Sequence, residues 1–441
     1  MIGLVTKTVA QWQREGALLV EDGNHGDNRP RTQEFSSAGM AFIRAADMAD
    51  GRVLFEQAEK INAVAQQRVR KGIGKPGDII ISHKGTIGRV ARVDMVAPEF
   101  VCSPQTTFWR VMDEEKIDRD FLYALLRSPS FQGLFATRAG ETDMAGYVSL
   151  TSQRELELSL PTIVIQRDIG RTIRLIDDKI ELNRKMAATL EEIARALYRS
   201  WFVDFDPVRA RAEGCTPAHM DAATAALFPD SFGEDGVPTG WRDGSLKDLI
   251  VFNPKERLPK GTIAPYFDMK ALPTVGMVAD KPIQRAFSSG TKFRSNDTLL
   301  ARITPCLENG KTGMIEGLGE NVVAWGSTEF IVMRARPGTP MALPYCVARD
   351  ASFRDKAIAT MTGSSGRQRA DAEAISALAA TVPPQAILNA FGDIVDPLIR
   401  RVHASGHERR NLSDLRDALL PRLISGELRV GAAREMIEEV A

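Results

Sequence analysis

The chain has 441 residues, a hydrophobic content of 44%, a charged content of 26% and a formal net charge of zero. These values are ordinary for a globular protein and are compatible with two to four domains, each large enough for its own core. A net charge of zero disfavours nonspecific binding to a polyanion, but it leaves room for nucleic acid if the basic residues are clustered.

No apolar run approaches the roughly 18–20 residues that cross a membrane, and the N-terminus lacks the apolar segment of a secretion signal. We therefore expect a cytoplasmic protein with no membrane partner. The four cysteines are far apart and form no CxxC pair, so we interpret them as reduced thiols.

Residues 1–162 have the pattern of an α+β domain. Short β-type runs such as 78–82 and 106–111 alternate with glycine and proline, and a helical stretch from Asp118 to Phe135 follows them. Pro161 then marks a change of period, because proline fits the first turn of a helix and breaks its interior.

Residues 163–206 predict one long helix. Its apolar residues are spaced alternately by four and three over about 35 residues, which is the pattern of a coiled coil and corresponds to roughly 50 Å of helix. A proline-rich linker, residues 207–240, follows this helix. The predicted interface residues of the helix are Ile169, Ile173, Ile176, Ile180, Asn183, Leu190 and Leu197.

The second half of the chain repeats this order, with an α+β domain at 241–383, a helix at 384–428 and a tail at 429–441. The helix pattern weakens around Gly406. The predicted interface residues of this second helix are Leu412, Leu415 and Leu419.

Individual residues recur at an offset of about 222 positions. Tyr123 recurs as Tyr345, and Phe108 as Phe330. Before Phe108 and Phe330 the offset between the two copies is smaller. The second copy therefore carries about three extra residues, most simply in the loop 304–313. A period this long indicates two whole domains of one type rather than a solenoid.

The sequence therefore predicts an α+β fold with two tandem domains of mixed β-sheet and helices, separated by two long helices. Matched apolar seams can bury each other as an antiparallel coiled coil within the chain. The alternative is that each helix lies on its own domain, although a helix on a sheet usually shows a wider apolar stripe.

Basic residues gather at matching places in the two copies. Residues 68–92 contain seven basic residues and one acid, and residues 281–302 contain five basic residues and one acid. One such run is usually a solvated surface, but two runs at matching places favour nucleic-acid binding.

The motifs of common enzyme classes are absent or incomplete. The nearest phosphate-loop match, residues 305–312, has Pro305 in place of its first glycine, and His403 and His407 lack the partners of a zinc site. We therefore predict no catalytic residue, no metal and no cofactor.

Three segments resemble the specificity subunit of Type I restriction–modification systems. Residues 75–88 are similar to the Gly-Asp-apolar-apolar…Gly-x-x-Gly stretch of its target-recognition domains, residues 160–183 resemble its central helix, and residues 419–428 resemble its C-terminal helix ending. The second copy departs from this pattern, since Ser295-Asn-Asp297 replaces Pro-Gly-Asp. The resemblance nevertheless spans nearly the whole chain in two tandem copies.

This resemblance implies a non-catalytic subunit whose two target-recognition domains each read one half of a split, asymmetric site in double-stranded DNA through the major groove. The two helices would fix the unread gap and dock two methyltransferase subunits, and motor–nuclease subunits would join them. Half-sites on one face of B-DNA lie about 34 Å apart per turn, a distance that a rod of roughly 50 Å can span.

Phosphate contacts position a protein on DNA, and contacts to base edges select the sequence. We predict such contacts from polar and basic side chains in both domains; the alternative for any single one is a solvated surface residue. In the first domain they are Lys71, Lys75, His83, Lys84, Thr86, Arg89 and Gln105. In the second domain they are Arg302, Thr304, Lys311, Arg367, Gln368 and Arg369.

Two other classes of function stay open on the sequence alone. A self-contained nuclease or methyltransferase with two recognition domains would need cofactor or carboxylate motifs, and incubation of the chain alone with DNA and S-adenosylmethionine tests it. A scaffold whose domains bind proteins would not shift DNA in a mobility assay.

Overall fold

The computed structural model describes residues 3–140, 146–364 and 366–438. Outside this range lie residues 1–2 and 141–145 of the predicted first domain, Ser365 of the loop at 362–369, and residues 439–441 of the predicted tail. The chain divides into two compact units, the first formed by Met1–Ile180 with Arg410–Ala441 and the second by Glu181–Arg409.

The first half of the chain is an α+β segment followed by a long helix. Its strands are β1 (Val5–Thr8), β2 (Leu18–Asp22), β3 (Phe35–Ser36), β4 (Met40–Ile43), β5 (Met48–Ala49), β6 (Arg52–Val53), β7 (Lys60–Ile61), β8 (Ile73–Gly74), β9 (Ile79–Ser82), β10 (Val90–Arg92), β11 (Phe100–Cys102), β12 (Thr106–Val111) and β13 (Glu157–Leu160). Its helices are α1 (Val9–Arg14), α2 (Ala63–Arg68), α3 (Arg119–Arg127), α4 (Pro129–Gly140), α5 (Leu150–Glu155) and α6 (Ile163–Phe202).

The second half repeats this plan after a short helical connection. Its strands are β14 (Arg242–Ser245), β15 (Ile250–Phe252), β16 (Ile263–Phe267), β17 (Ile283–Ala286), β18 (Thr291–Phe293), β19 (Thr298–Ala301), β20 (Thr312–Met314), β21 (Ala324–Gly326), β22 (Phe330–Ala335) and β23 (Ala379–Val382). Its helices, including the connection, are α7 (Asp206–Ala212), α8 (Ala222–Ala225), α9 (Leu343–Arg349), α10 (Ala351–Ala359), α11 (Ala372–Ser376), α12 (Gln385–Ser425) and α13 (Val430–Glu438).

The two units share one strand order. The four strands β2-β12-β9-β10 of the first unit correspond to β15-β22-β19-β20 of the second, and β7-β4-β11-β8 corresponds to β17-β16-β21-β18. A two-stranded sheet, β1-β13 or β14-β23, links the first strand of each α+β part to the strand before its long helix. The predicted duplication and the α+β fold class are therefore confirmed.

The strand registers locate the insertion in the second copy. Asp78 and Asp297 each precede the central strand of their sheet. The hairpin loop after that strand comprises residues 83–89 in the first unit and 302–311 in the second, so it is three residues longer in the second unit. This confirms the predicted length of the insertion, and the loop that contains it begins and ends two residues earlier than the predicted 304–313.

The predicted correspondence of Phe108 with Phe330 is wrong. Phe108 lies opposite Ile80, two residues after Asp78, and Val332 lies opposite the residue two after Asp297. Val332 is therefore the structural equivalent of Phe108. A constant sequence offset does not hold here, because loops of different length shift the local alignment by two further residues.

Each central sheet contains a buried ion pair. Asp78 is fully buried and accepts hydrogen bonds from Nε and Nη2 of Arg110, at 2.7 and 2.8 Å. Asp297 is equally buried and accepts two hydrogen bonds from Arg334, each of 2.6 Å. Burial raises the pKa of Asp297, whereas the hydrogen bonds to Asp297 raise the pKa of Arg334. Each arginine is held at its place on the sheet by this bidentate geometry.

Each unit has a phenyl ring at the same position of its core, but the ring comes from non-equivalent strands in the two units. Gly74 on β8 lies opposite Phe100 on β11, and a Cβ on Gly74 would stand only 2.1 Å from the Phe100 ring. In the second unit the aromatic residue is Phe293 on β18, and the small residue opposite it is Ala324 on β21. Each pair therefore places one phenyl ring in its core.

The long helices pair within each unit. In the first unit Ile169, Ile173 and Ile176 are each 1% exposed and share a core with Leu412 and Leu419. Ile180 and Leu415 pack at the margin of this core. Here the beginning of α6 meets the end of α12.

In the second unit the end of α6 meets the beginning of α12. Leu190 and Leu197 pack against a core that contains Phe391 and Val395, and Asn183 is buried nearby in the chain. With the opposite ends paired in each unit, the helices are antiparallel, which confirms the predicted coiled coil. α12 is unbroken at Gly406, where the missing side chain leaves room for Val278.

Two helix predictions need correction. The stretch from Asp118 to Phe135 is two helices, α3 and α4, that break at Ser128 before Pro129. Helix α6 ends at Phe202, before the predicted end at residue 206. Within the three described ranges, no helix has the length and apolarity needed to cross a membrane.

The repeated Tyr-x-x-x-Arg motif ties each α+β part to a long helix. In the first unit Arg127 donates to the hydroxyl of Tyr123 and to Asp177 of α6, both at 2.9 Å. In the second unit the hydroxyl of Tyr345 donates to Glu191 of α6 at 2.7 Å and accepts from Arg349. The recurrence seen in the sequence thus has a structural cause.

Candidate nucleic-acid interface

Three segments of the first unit come together where the central strand β9 ends. The backbone N–H of His83 donates to Gln105 O at 2.9 Å, and the N–H of Val148 donates to His83 O at 3.0 Å. Lys84 forms a β-bridge with Tyr147. We call this backbone arrangement of residues 83–84, 105 and 147–148 the first frame.

The first frame carries a mixed polar and aromatic surface. Lys84 and Gln105 are exposed, and Lys84 Nζ lies 5.9 Å from the centre of the Tyr147 ring. Thr86 is exposed at the tip of the β9–β10 hairpin, which turns through Gly85 at a φ of 77°. Only residues that tolerate the left-handed region fit at that turn.

His83 does not fit its predicted role as a donor to base edges. It is 2% exposed, and its Nδ1 lies 3.0 Å from Val148 O. Burial lowers the pKa of His83, although the nearby Asp22 carboxylate opposes this effect. The neutral ring therefore holds the Val148 segment in place instead of facing solvent.

The other predicted contacts of the first unit lie at different places. Lys71 is exposed at the same end of the sheet, where its carbonyl accepts a hydrogen bond from Asn24. Arg89 is also at this end, but its guanidinium donates to Ala45 O and Met48 O. Lys75 lies at the opposite end of β9, next to Asp78.

The second unit has the same frame. The N–H of Arg302 donates to Glu329 O at 2.9 Å, the N–H of Ala370 donates to Arg302 O at 2.8 Å, and Ile303 forms a β-bridge with Arg369. We call residues 302–303, 329 and 369–370 the second frame. Its two backbone hydrogen bonds and its β-bridge match those of the first frame one by one.

The side chains of the second frame are strongly charged. The Arg369 guanidinium donates to both carboxylate oxygens of Glu329, at distances of 2.7–2.9 Å. Arg302 is half-buried, and among the described residues its Nε has no hydrogen-bond partner. It lines a shallow groove together with Lys255, Lys292 and Thr328.

Of the remaining predicted contacts, Lys311 does not fit its assigned role. Its ammonium donates inward to Met269 O at 2.8 Å and to Leu272 O at 3.3 Å, so it fastens a loop. Thr304 is half-buried and its N–H donates to Gln368 O. Arg367 is exposed in the loop beside Gln368.

Tyr147, Lys255 and Lys292 belong to these surfaces but were not among the predicted contacts. Lys292 lies in the basic run at residues 281–302, so its charge was a usable signal. Tyr147 and Lys255 had none, because each reaches its surface through contacts between segments that are distant in sequence. No group of three or more His, Cys, Asp or Glu residues suited to a metal ion occurs in the described parts of the chain.

Residues 25–192 match the family model of the Type I restriction modification DNA specificity domain. The chain is 25% identical over 460 residues to the Type I restriction enzyme HindI specificity subunit of Haemophilus influenzae, covering 92% of this chain and 98% of that protein. It is 23% identical over 424 residues to the Type I restriction enzyme MjaIX specificity subunit of Methanocaldococcus jannaschii, covering 92% and 91%.

The fold is similar to that of the Type-I restriction-modification system S subunit from M. genitalium, with a TM-score of 0.54, 15% sequence identity and coverage of 96% of each chain. Part of the chain is thus similar in sequence to the DNA specificity domain of Type I restriction–modification systems, and the whole chain is similar in fold to an S subunit of such a system. More particularly, the chain resembles Type I specificity subunits along nearly all of its length, as inferred from its motifs.

Proposed function

We propose that this chain is the sequence-specific DNA-binding subunit of a cytoplasmic Type I restriction–modification complex. Its target-recognition domains, residues 1–162 and 241–383, each read one half of a bipartite site in double-stranded DNA. The observation that carries the proposal is the duplicated frame, which presents two different sets of side chains on the same backbone arrangement. Two similar domains with different contact surfaces require an asymmetric site.

The charge around the frames supports DNA as the ligand. Lys71 and Lys84 are exposed at the loop end of the first sheet, and the exposed Lys255 lines the groove beside Arg302 in the second. Basic side chains at the ends of a sheet can neutralise phosphates while neighbouring polar groups face base edges. Because the net charge of the chain is zero, binding to DNA depends on such local clusters of basic side chains.

The long helices supply the second part of the proposal. Helix α6 has 40 residues and therefore measures about 60 Å, enough to serve as a spacer between half-sites. Exposed apolar residues lie 11 positions apart on it, Val164 with Leu175 in the first unit and Leu182 with Ile193 in the second. Eleven residues make three helical turns, so each pair lies on one face.

Apolar residues exposed on a helix face mark contact surfaces. We assign these faces to two methyltransferase subunits, which would perform methyl transfer, and motor–nuclease subunits would join the assembly for cleavage. The chain itself then contributes recognition and spacing but no chemical step, and it needs no cofactor of its own.

Selection from a randomised duplex library with the full-length chain tests the proposal. We expect two short sequence blocks separated by an unselected gap of constant length. Lys84→Ala should weaken binding through the first block, and Arg302→Ala through the second. Selection of no sequence, or equal loss of both blocks in each variant, would contradict a modular reader of DNA.

A further inference from the structure

The two frames differ in chemistry at positions that their backbones make equivalent. The hydrogen bonds that align Gln105 with Glu329 and Val148 with Ala370 also align Tyr147 with Arg369, through matching β-bridges. Within each unit, these two positions lie on neighbouring segments beside the end of the central strand. The two units thus present different side chains at these positions on matching backbone contacts.

Neighbouring positions of the frame are less suited to discrimination between bases. His83 faces inward, and Arg302, its equivalent, is half-buried beside the groove. The exposed Lys84 has flexible ammonium donors, which neutralise phosphates without a fixed direction. Gln105 and Arg369 are exposed and carry planar groups that can form paired hydrogen bonds.

The charged pair in the second frame is already oriented. Arg369 is fixed on the Glu329 carboxylate by three hydrogen bonds and also donates to Arg367 O. An arginine held in this way binds guanine O6 and N7 with little loss of side-chain freedom, and glutamate accepts from the cytosine amino group. The pair therefore matches the major-groove edge of a G·C pair.

The first frame offers different donors and acceptors. A glutamine amide can donate to adenine N7 and accept from adenine N6, and a tyrosine ring next to it gives an apolar edge suited to the thymine methyl group. The Tyr147 ring is half-buried and lies 5.4 Å from the His83 ring, which limits its movement.

We propose that Gln105 with Tyr147, and Glu329 with Arg369, are specificity-determining pairs, the first for an A·T pair in one half-site and the second for a G·C pair in the other. This inference rests on the proposed function, because it presupposes that each domain reads DNA. It goes further by naming the positions and the base pairs they select.

Reciprocal exchange of the two pairs tests the inference. The variants are Gln105→Glu with Tyr147→Arg, and Glu329→Gln with Arg369→Tyr, each made in the full-length chain and selected on a randomised duplex library. In the first variant we expect one position of one block to change from A·T to G·C, with a preference of about tenfold or more, and the second block to stay unchanged. The second variant should produce the opposite change in the other block.

Gln57→Glu is the matched control, because it makes the same chemical change on an exposed glutamine outside the frame. Its selected blocks should equal those of the unmodified chain. The single variants Gln105→Ala and Arg369→Ala, checked for folding by circular dichroism, should each relax one position of one block.

The outcomes separate the two levels of the argument. If the unmodified chain selects no blocks, the proposed function is wrong and the inference falls with it. If it selects two blocks and neither the exchange variants nor the folded single variants change any selected base, the proposed function stands and the inference is wrong.

Discussion

Removal of Arg110 should destabilise the first unit severely while leaving the matching strand of the second unit unaffected. Asp78 is fully buried, and Arg110→Ala would leave its carboxylate without its charged partner. Breaking a buried pair in this way lowers the stability of the folded unit by about 3–5 kcal/mol. The strand should therefore open between about a hundredfold and several thousandfold more often. The increase in opening is measured in the full chain as the rate of amide hydrogen exchange in residues 79–82. Residues 298–301, where Arg334 is intact, serve as the internal reference.

An exposed ion pair in the same protein, Glu329 with Arg369, provides a control for the buried pair. Arg369 also pairs with both carboxylate oxygens of Glu329, but the Arg369 side chain is 45% exposed and screened by solvent, so Arg369→Ala should destabilise its strand far less than Arg110→Ala does. The double variant Asp78→Ala with Arg110→Ala should recover part of the loss, because no charge is then left buried. The reasoning is refuted if Arg110→Ala increases exchange in its strand no more than Arg369→Ala does in residues 330–335.

Three further outcomes are expected. Burial lowers the pKa of His83 below its ordinary value of 6.5, so the first unit should lose stability as the pH falls below about 6.5, and His83→Gln should flatten this dependence in thermal unfolding. Leu419→Ala, at a position 1% exposed, should cost about 2–5 kcal/mol in denaturant unfolding, whereas Leu182→Ala, at a position 59% exposed, should change stability by less than about 0.5 kcal/mol. Leu182→Asp with Ile193→Asp should abolish co-purification with the methyltransferase subunit while DNA selection persists, and unchanged co-purification would contradict the assignment of that face.

Periodicity in the sequence was sufficient for the large elements. The heptad spacing predicted both long helices and their pairing, and apolar runs such as residues 79–81 predicted the central strands, because burial imposes these patterns locally. The predicted correspondence of Phe108 with Phe330 was wrong because a match of residue types does not reveal how long the intervening loops are. Strand register depends on pairing partners that no local pattern reveals.

The contact surfaces were only partly predictable. Lys84 and Gln105 are exposed where the sequence placed them, but His83 and Lys311 point inward to backbone carbonyls. Residue type gives the capacity to donate a hydrogen bond, while its direction is set by segments that are distant in the chain. Tyr147 reaches its place because it forms a β-bridge with Lys84 and the next residue, Val148, donates its N–H to His83 O.

The core phenyl ring comes from β11 in the first unit and from β18 in the second, and this difference limits how such a protein can evolve. A chimera that joined β18 of one copy to β11 of the other would force Phe293 against Phe100, and overpacking of this kind costs about 1–3 kcal/mol or more. The reciprocal chimera would set Gly74 against Ala324 and leave a void. Crossovers within the sheet are therefore penalised in both directions, whereas exchange of a whole α+β domain keeps each phenyl ring opposite its own small residue.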